Sequence, residues 1–218
     1  MPDVIFPGSD GRLEGRYQHG VGSNPPIALV LHPHPLYGGT MNNKVVYGIY
    51  HVFARLGFST LRFNFRGVGR SQGTFDNGHG ELADAAAALD WAQAANLNSR
   101  GCWVAGYSFG AWIAMQLLMR RPEIHGFVAV APPASLYDFD FLAPCPASGL
   151  VLHGTDDELV PESDVAKFAS RLAYQRDIKV EYRRIAGTDH FFENRVDEVG
   201  AAIERYLRKS LTKKASAA

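Results

Sequence analysis

From Ile27 onward the sequence keeps changing its hydrophobic period, and this alternation restricts the possible folds more than any single residue does. Ile27 to His32, IALVLH, is a short continuous apolar run, the mark of a strand covered on both faces. Val45, Val46, Ile49, Val52, Phe53 and Leu56 then recur at helical spacing, and Gly57 stands where a helix C-terminus needs a left-handed residue. Phe58 to Phe65 reads as a strand, Leu82 to about Asn96 as a helix, and CWVAGY as another buried strand. Phe109 to Arg121 is apolar almost all round and is stopped by Pro122, so a central, well-covered helix is expected there. Strand signals return at Gly126 to Val130, Gly149 to His153 and Lys179 to Ile185, with helical periods at Val165 to Leu172 and Val196 to Leu207. Such an order calls for a mostly parallel sheet with helices on both faces.

Ahead of this series, Val4 to Phe6 and Leu13 to Gln18 flank the turn formers PGSDG, which predicts an N-terminal antiparallel hairpin. No linker-like or repeated segment divides the 218 residues. One domain over residues 1–210 is expected, and the small polar residues 211–218 read as a disordered tail. Lysine plus arginine equals aspartate plus glutamate at 22 each, which gives no electrostatic reason for a nucleic acid or membrane partner. A small-molecule substrate fits better, and the sequence leaves the oligomeric state open. Cys102 lies in a strand-like run and Cys145 between prolines, a pattern of free thiols that points to the cytoplasm.

In sheets of this kind ligands bind beyond the carboxyl ends of the strands, so the residues just after each strand carry the functional reading. Gly106-Tyr107-Ser108-Phe109-Gly110 satisfies G-x-S-x-G where a strand gives way to a helix. That context strains the serine backbone, lifts its hydroxyl above the sheet and aims helix N-terminal amides at the site. His190, between the last strand and the last helix, is the base best placed to reach Ser108. The acid is expected after the preceding strand, in HGTDDELVP, where periodicity leaves Asp156 and Asp157 equal. His153 ends that strand and is assigned an orienting role.

An acyl transfer also needs an oxyanion hole, formed by the Phe109 amide and a second donor in the loop HPHPLYGGTMNN. Pro33 and Pro35 carry no N–H, which leaves His34, Leu36 and Tyr37; His34 is preferred, with Leu36 in reserve. His32 and His34 at i,i+2 raise the thought of a metal, but two ligands without a third do not make a site. RGVGRSQG fails the dinucleotide spacing and no Walker lysine pattern occurs, so no cofactor is expected.

Taken together, LHPHPLYGGTMNNKVV, RFNFRGVGRSQG, GYSFGA and HGTDDELVP resemble the α/β-hydrolase superfamily, within it a group of small bacterial serine hydrolases. The resemblance runs from about Ile27 to Leu207. It implies a single-domain α/β-hydrolase fold and a Ser-His-Asp triad, and its acid motif G-x-x-D-x-x-V falls on Gly154, Asp157 and Val160, selecting Asp157. The chain departs from many relatives in having His-Pro instead of His-Gly after the first parallel strand. Where relatives carry a lid, APPASLYDFDFLAPCPA is too short for a helical cap. Tyr37, Leu136, Tyr137, Phe139 and Phe141 are candidates to line an acyl pocket. The expected activity is hydrolysis of small carboxylic esters or thioesters through an acyl-enzyme. Amide or peptide hydrolysis by the same triad, and a non-catalytic binding protein on the same fold, are the alternatives.

Overall fold

The computed structural model describes residues 2–142, 144–175 and 178–215. The expected hairpin is present as β1 (Asp3–Gly8) and β2 (Gly11–Gln18). After it come β3 (Ile27–Leu31), α1 (Lys44–Arg55), β4 (Ser59–Phe63), α2 (His79–Ala94), β5 (Cys102–Tyr107) and α3 (Phe109–Arg120). The chain continues through β6 (Ile124–Val130), β7 (Gly149–Gly154), α4 (Glu162–Ala173), β8 (Val180–Ile185) and α5 (Val196–Ala215). α5 runs past residue 210, where the sequence suggested that a tail begins, and residues 216–218 lie outside the described residues. α2 begins at His79, three residues ahead of the helical period that starts at Leu82. Among the described residues, no helix is long and apolar enough to cross a membrane.

The strands form one sheet in the order β1-β2-β4-β3-β5-β6-β7-β8. β1 and β2 run antiparallel to their neighbours, and every pair from β4 to β8 is parallel. Continuous apolar runs are explained by burial on both faces, because alternate residues of one strand enter opposite layers. Ile27, Leu29 and Leu31 of β3 belong to the core layer that holds α2, α3 and α4, whereas Ala28 and Val30 belong to the layer that holds α1 and α5. β4 and β5 flank β3, so the chain reverses its direction of travel at that strand and the loops after β3 and β5 diverge. A crevice opens at such a switch point, and here its two lips are the HPHP loop and the turn carrying Ser108.

Two close approaches fix these lips. A Cβ on Gly106 would lie 2.2 Å from the Gly110 carbonyl oxygen, and one on Gly110 would lie 2.4 Å from that of Leu31. Only glycine at both places lets β5, α3 and the end of β3 meet so tightly. Cys102 and Cys145 are both buried and unpaired.

Candidate active site

Ser108 occupies the sharp turn between β5 and α3 with φ 53° and ψ −122°, a conformation that costs a non-glycine residue about 1–3 kcal/mol. Its neighbours impose that shape: the Ser108 amide donates to Val130 O at 2.9 Å, and its carbonyl accepts from Ala111 N at 2.8 Å. The side chain is thereby turned out over the sheet edge, half-buried.

His190 comes from the loop between β8 and α5. Its Nε2 lies 2.9 Å from Ser108 Oγ and its Nδ1 2.7 Å from Asp157 Oδ2, so Ser108, His190 and Asp157 form one hydrogen-bonded chain. With Asp157 ionised, Nδ1 carries the proton and the Nε2 lone pair faces the serine hydroxyl. Asp157 is only 6% exposed. Burial opposes its ionisation, but the His190 N–H, the Val160 amide and the nearby charges of His190 and His153 together hold its carboxyl below the usual range. Its other oxygen accepts from Leu159 N at 3.0 Å and Val160 N at 2.9 Å, which leaves Oδ2 aimed at the imidazole. Asp156 points elsewhere: it is exposed, and its Oδ1 accepts from the Thr155 hydroxyl.

Two side chains brace this half of the site from behind. His153, fully buried, donates from Nε2 to Val160 O at 2.9 Å and so closes the Asp157 loop, in keeping with an orienting role. Burial first, then the charge of His190, lowers its basicity against the opposing pull of Val160 O and Asp157. Tyr107, which the sequence offered only as a strand residue, donates its hydroxyl to the His190 carbonyl at 2.9 Å. Its ring also lies 5.7 Å from that of His190. A buried tyrosine at the end of a strand needs a partner for its O–H, and that requirement is the signal that would have found it.

The opposite lip is built from backbone. His32 is fully buried; its Nδ1–H donates to Pro33 O at 2.6 Å, and its Nε2 accepts from Phe65 N at 3.0 Å. Both ring nitrogens are therefore committed to the main chain. Desolvation pushes its pKa down to about 4, which keeps the ring neutral. Pro33 C=O and His34 N–H belong to one peptide plane and point in opposite directions, so holding the carbonyl also orients the amide. The next carbonyl, His34 O, accepts from Tyr37 N at 3.1 Å and Gly39 N at 3.0 Å. A Cβ on Gly39 would lie 2.0 Å from Pro33 O, so the loop closes against this same peptide.

Leu36, the reserve oxyanion donor, is corrected by its own contacts: its N–H donates to His34 Nδ1 at 3.2 Å and is already used. Tyr37 N is engaged as well. Among the described hydrogen bonds, neither the His34 nor the Phe109 amide has a protein partner. Phe109 is the first residue of α3, where amides have no intrahelical acceptor.

A cleft of about 500 Å³ opens over Ser108 and His190, walled by Pro33, Tyr37, Phe109, Leu136, Tyr137 and Phe191, with Leu159 and Asn43 alongside. Phe139 does not reach it. The residue is only 6% exposed and its ring packs on Phe168, with centroids 4.7 Å apart, as part of the core. Phe191 and Leu159 belong to the cleft and were not foreseen, although each is next to or near a predicted site residue.

The family model described as X-Pro dipeptidyl-peptidase (S15 family) matches residues 17–211. An uncharacterized protein of Rickettsia prowazekii is 54% identical over 211 residues, covering 95% of this chain and 89% of the relative. The lysophosphatidylserine lipase ABHD12 of Rattus norvegicus is 25% identical over 254 residues; the match covers 96% of this chain but 63% of the lipase. Among solved structures, a protein of unknown function from Agrobacterium tumefaciens, described as an alpha/beta hydrolase, superposes with a TM-score of 0.95 at 56% identity, covering 97% of both chains. A serine hydrolase without a lid from Xanthomonas campestris gives 0.87 at 31% identity, covering 95% of this chain and 94% of its own.

Proposed function

Because this chain belongs to the α/β-hydrolase superfamily and to the X-Pro dipeptidyl-peptidase (S15) family, and is a serine hydrolase, we propose that it cleaves small carboxylic esters or thioesters by way of an acyl-enzyme on Ser108. The observation that carries this reading is His190 standing between Ser108 Oγ at 2.9 Å and Asp157 Oδ2 at 2.7 Å. Ser108 Oγ attacks the acyl carbonyl while His190 Nε2 takes the hydroxyl proton. Asp157 holds the tautomer and stabilises the imidazolium. The carbonyl oxygen, now negative, accepts from the Phe109 and His34 amides, whose orientation is fixed before substrate arrives. His190 returns the proton to the leaving alcohol or thiol. Water then repeats the sequence, releasing the acid and restoring Ser108.

The family name favours a second reading, hydrolysis of a peptide bond by the same three residues. A dipeptidyl-peptidase must hold a free ammonium group close to its nucleophile, and among the described residues lining this cleft none is acidic. That composition supports ester over peptide. With p-nitrophenyl butyrate and Gly-Pro-p-nitroanilide assayed side by side, the ester is expected to turn over far faster. Ser108→Ala is expected to lower that turnover by about 10⁴-fold or more with the fold intact. Faster cleavage of the anilide would reverse the choice, and full ester activity in the Ser108→Ala variant would end the scheme.

A further inference from the structure

The mouth of the cleft is ringed by apolar side chains that the fold does not need. Tyr37 is 87% exposed, Leu36 67%, Leu136 64%, Phe191 55% and Leu159 52%, and together they make up half of the strongly exposed large hydrophobic residues among those described. They come from loops after four different strands, β3, β6, β7 and β8, so no single amphipathic element produced the patch as a by-product. All but Leu36 also form part of the cleft wall. Tyr37, Leu136, Leu159 and Phe191 therefore line the cleft over Ser108 and are also more than half exposed, so apolar side chains lead from the inside to the exterior. Patches of this kind mark binding surfaces.

Charge narrows what can lie there. Within two residues in sequence of these five side chains stand Asp138, Asp157, Glu158, Asp189 and Glu193, and no lysine or arginine. Asp138, Glu158 and Glu193 are exposed, and Lys167 and Arg171, which share a pocket with Asp138, are paired with Asp164 and Asp140, so the charge that these loops present beside the collar is negative. An anionic carrier or headgroup is repelled from it, whereas a neutral hydrocarbon chain is accommodated.

Resting on the esterase reading above, we propose that the substrate is a neutral ester or thioester with a medium to long aliphatic acyl chain, whose far end leaves the cleft and lies across Leu36, Tyr37, Leu136, Leu159 and Phe191. Each methylene that moves from water onto this surface raises kcat/KM about two- to fourfold, the range between half and full burial.

The test is a series of monomeric p-nitrophenyl esters from acetate to dodecanoate. The expected result is a kcat/KM that climbs at least ~50-fold from acetate to octanoate, in line with that increment over six methylenes. The double substitution Leu136→Ser, Phe191→Ser is expected to cut the octanoate-to-acetate ratio about tenfold or more. Tyr174→Ser removes a side chain of 93% exposure outside the collar and should leave the ratio where it is. Octanoyl-N-acetylcysteamine should be preferred over octanoyl coenzyme A, whose phosphates meet the exposed carboxylates of Asp138, Glu158 and Glu193. A chain-length profile that is flat or falls while acetate is still hydrolysed overturns the inference and leaves the esterase reading standing; equal rates on the two thioesters overturn the exclusion of anions. No turnover of any ester, together with no labelling of Ser108 by a fluorophosphonate, overturns the esterase reading and this inference with it.

Discussion

The two lips of the cleft do comparable work with different material. On one side Ser108, His190 and Asp157 are joined side chain to side chain, by contacts of 2.9 and 2.7 Å. On the other, the HPHP loop offers a peptide N–H whose direction is set by what holds the carbonyl of the same plane, here His32 at 2.6 Å. The first lip depends on the identity of three residues. The second depends on the shape of a loop, and side chains matter to it only as clamps. Substitutions should therefore act differently on the two sides: abolishing chemistry on the first, and on the second separating activity from stability.

Of the substitutions that compare the two lips, Asp157→Asn is expected to have the largest effect. Leu159 N and Val160 N can still donate to the remaining oxygen, but an amide N–H facing His190 Nδ1 favours the wrong tautomer. The expected loss in kcat is about 10³- to 10⁴-fold with little change in stability, read from steady-state kinetics and a denaturation curve. A loss under about tenfold would show that the side-chain lip is not organised as described.

His32 supplies an intermediate effect that tests the comparison itself. His32→Leu removes the clamp on Pro33 O and leaves Phe65 N unpaired, whereas His32→Asn keeps an N–H for Pro33 O and forfeits only the acceptor. Both variants should lose about 1–3 kcal/mol of stability from the stranded amide. Only the leucine variant should lose kcat, by about 10- to 100-fold at unchanged KM, somewhat less than deleting an oxyanion donor outright. Equal kcat in the two variants would reduce His32 to a packing residue. The sign of the pH effect follows from its lowered pKa. Between the ordinary histidine value of 6.5 and about 4, the unfolded chain binds a proton that the folded one refuses. His32 thus contributes to a stability that is complete above pH 6.5 and declines as pH falls toward 4, and His32→Asn should flatten that decline.

The smallest effect belongs to Tyr107→Phe, which removes one hydrogen bond to the His190 carbonyl and keeps the ring. A net loss of about 1 kcal/mol corresponds to roughly a fivefold fall in kcat, with KM unchanged. A rise in KM alone would assign Tyr107 to substrate contact instead.

The same contrast explains what could be read from the sequence. The sheet with helices on both faces followed from the change in period along the chain, because burial on two faces leaves a continuous apolar run that loops cannot imitate. Ser108 follows β5 directly and His190 lies in the loop between β8 and α5, so the order of elements was enough to bring the two to one sheet edge, where they stand 2.9 Å apart. Asp157 was harder: beside Asp156 it has no distinguishing period, and only the fold shows one carboxylate turned inward on Leu159 N and Val160 N while the other stays exposed. Phe139 was misplaced since an aromatic residue between turns looks the same whether it faces a cleft or the core. Leu36 was misjudged for a related reason: an amide leaves no trace in residue type, and its capture by His34 Nδ1 depends on a short turn over Pro35–Tyr37. α5 continued beyond the point where composition suggested fraying, as helix propensity carries the small polar end at least to Ala215.

On this reading, an electrophile bonded to Ser108 presents its oxygen to both lips at once. The most direct measurement is a crystal structure of the protein treated with a small alkyl fluorophosphonate. The expected result is a covalent bond at Ser108 Oγ with the phosphonyl oxygen within about 3 Å of both the Phe109 and the His34 amide nitrogens. An adduct on another residue, or a phosphonyl oxygen turned away from His34 toward the solvent-facing collar, would contradict it.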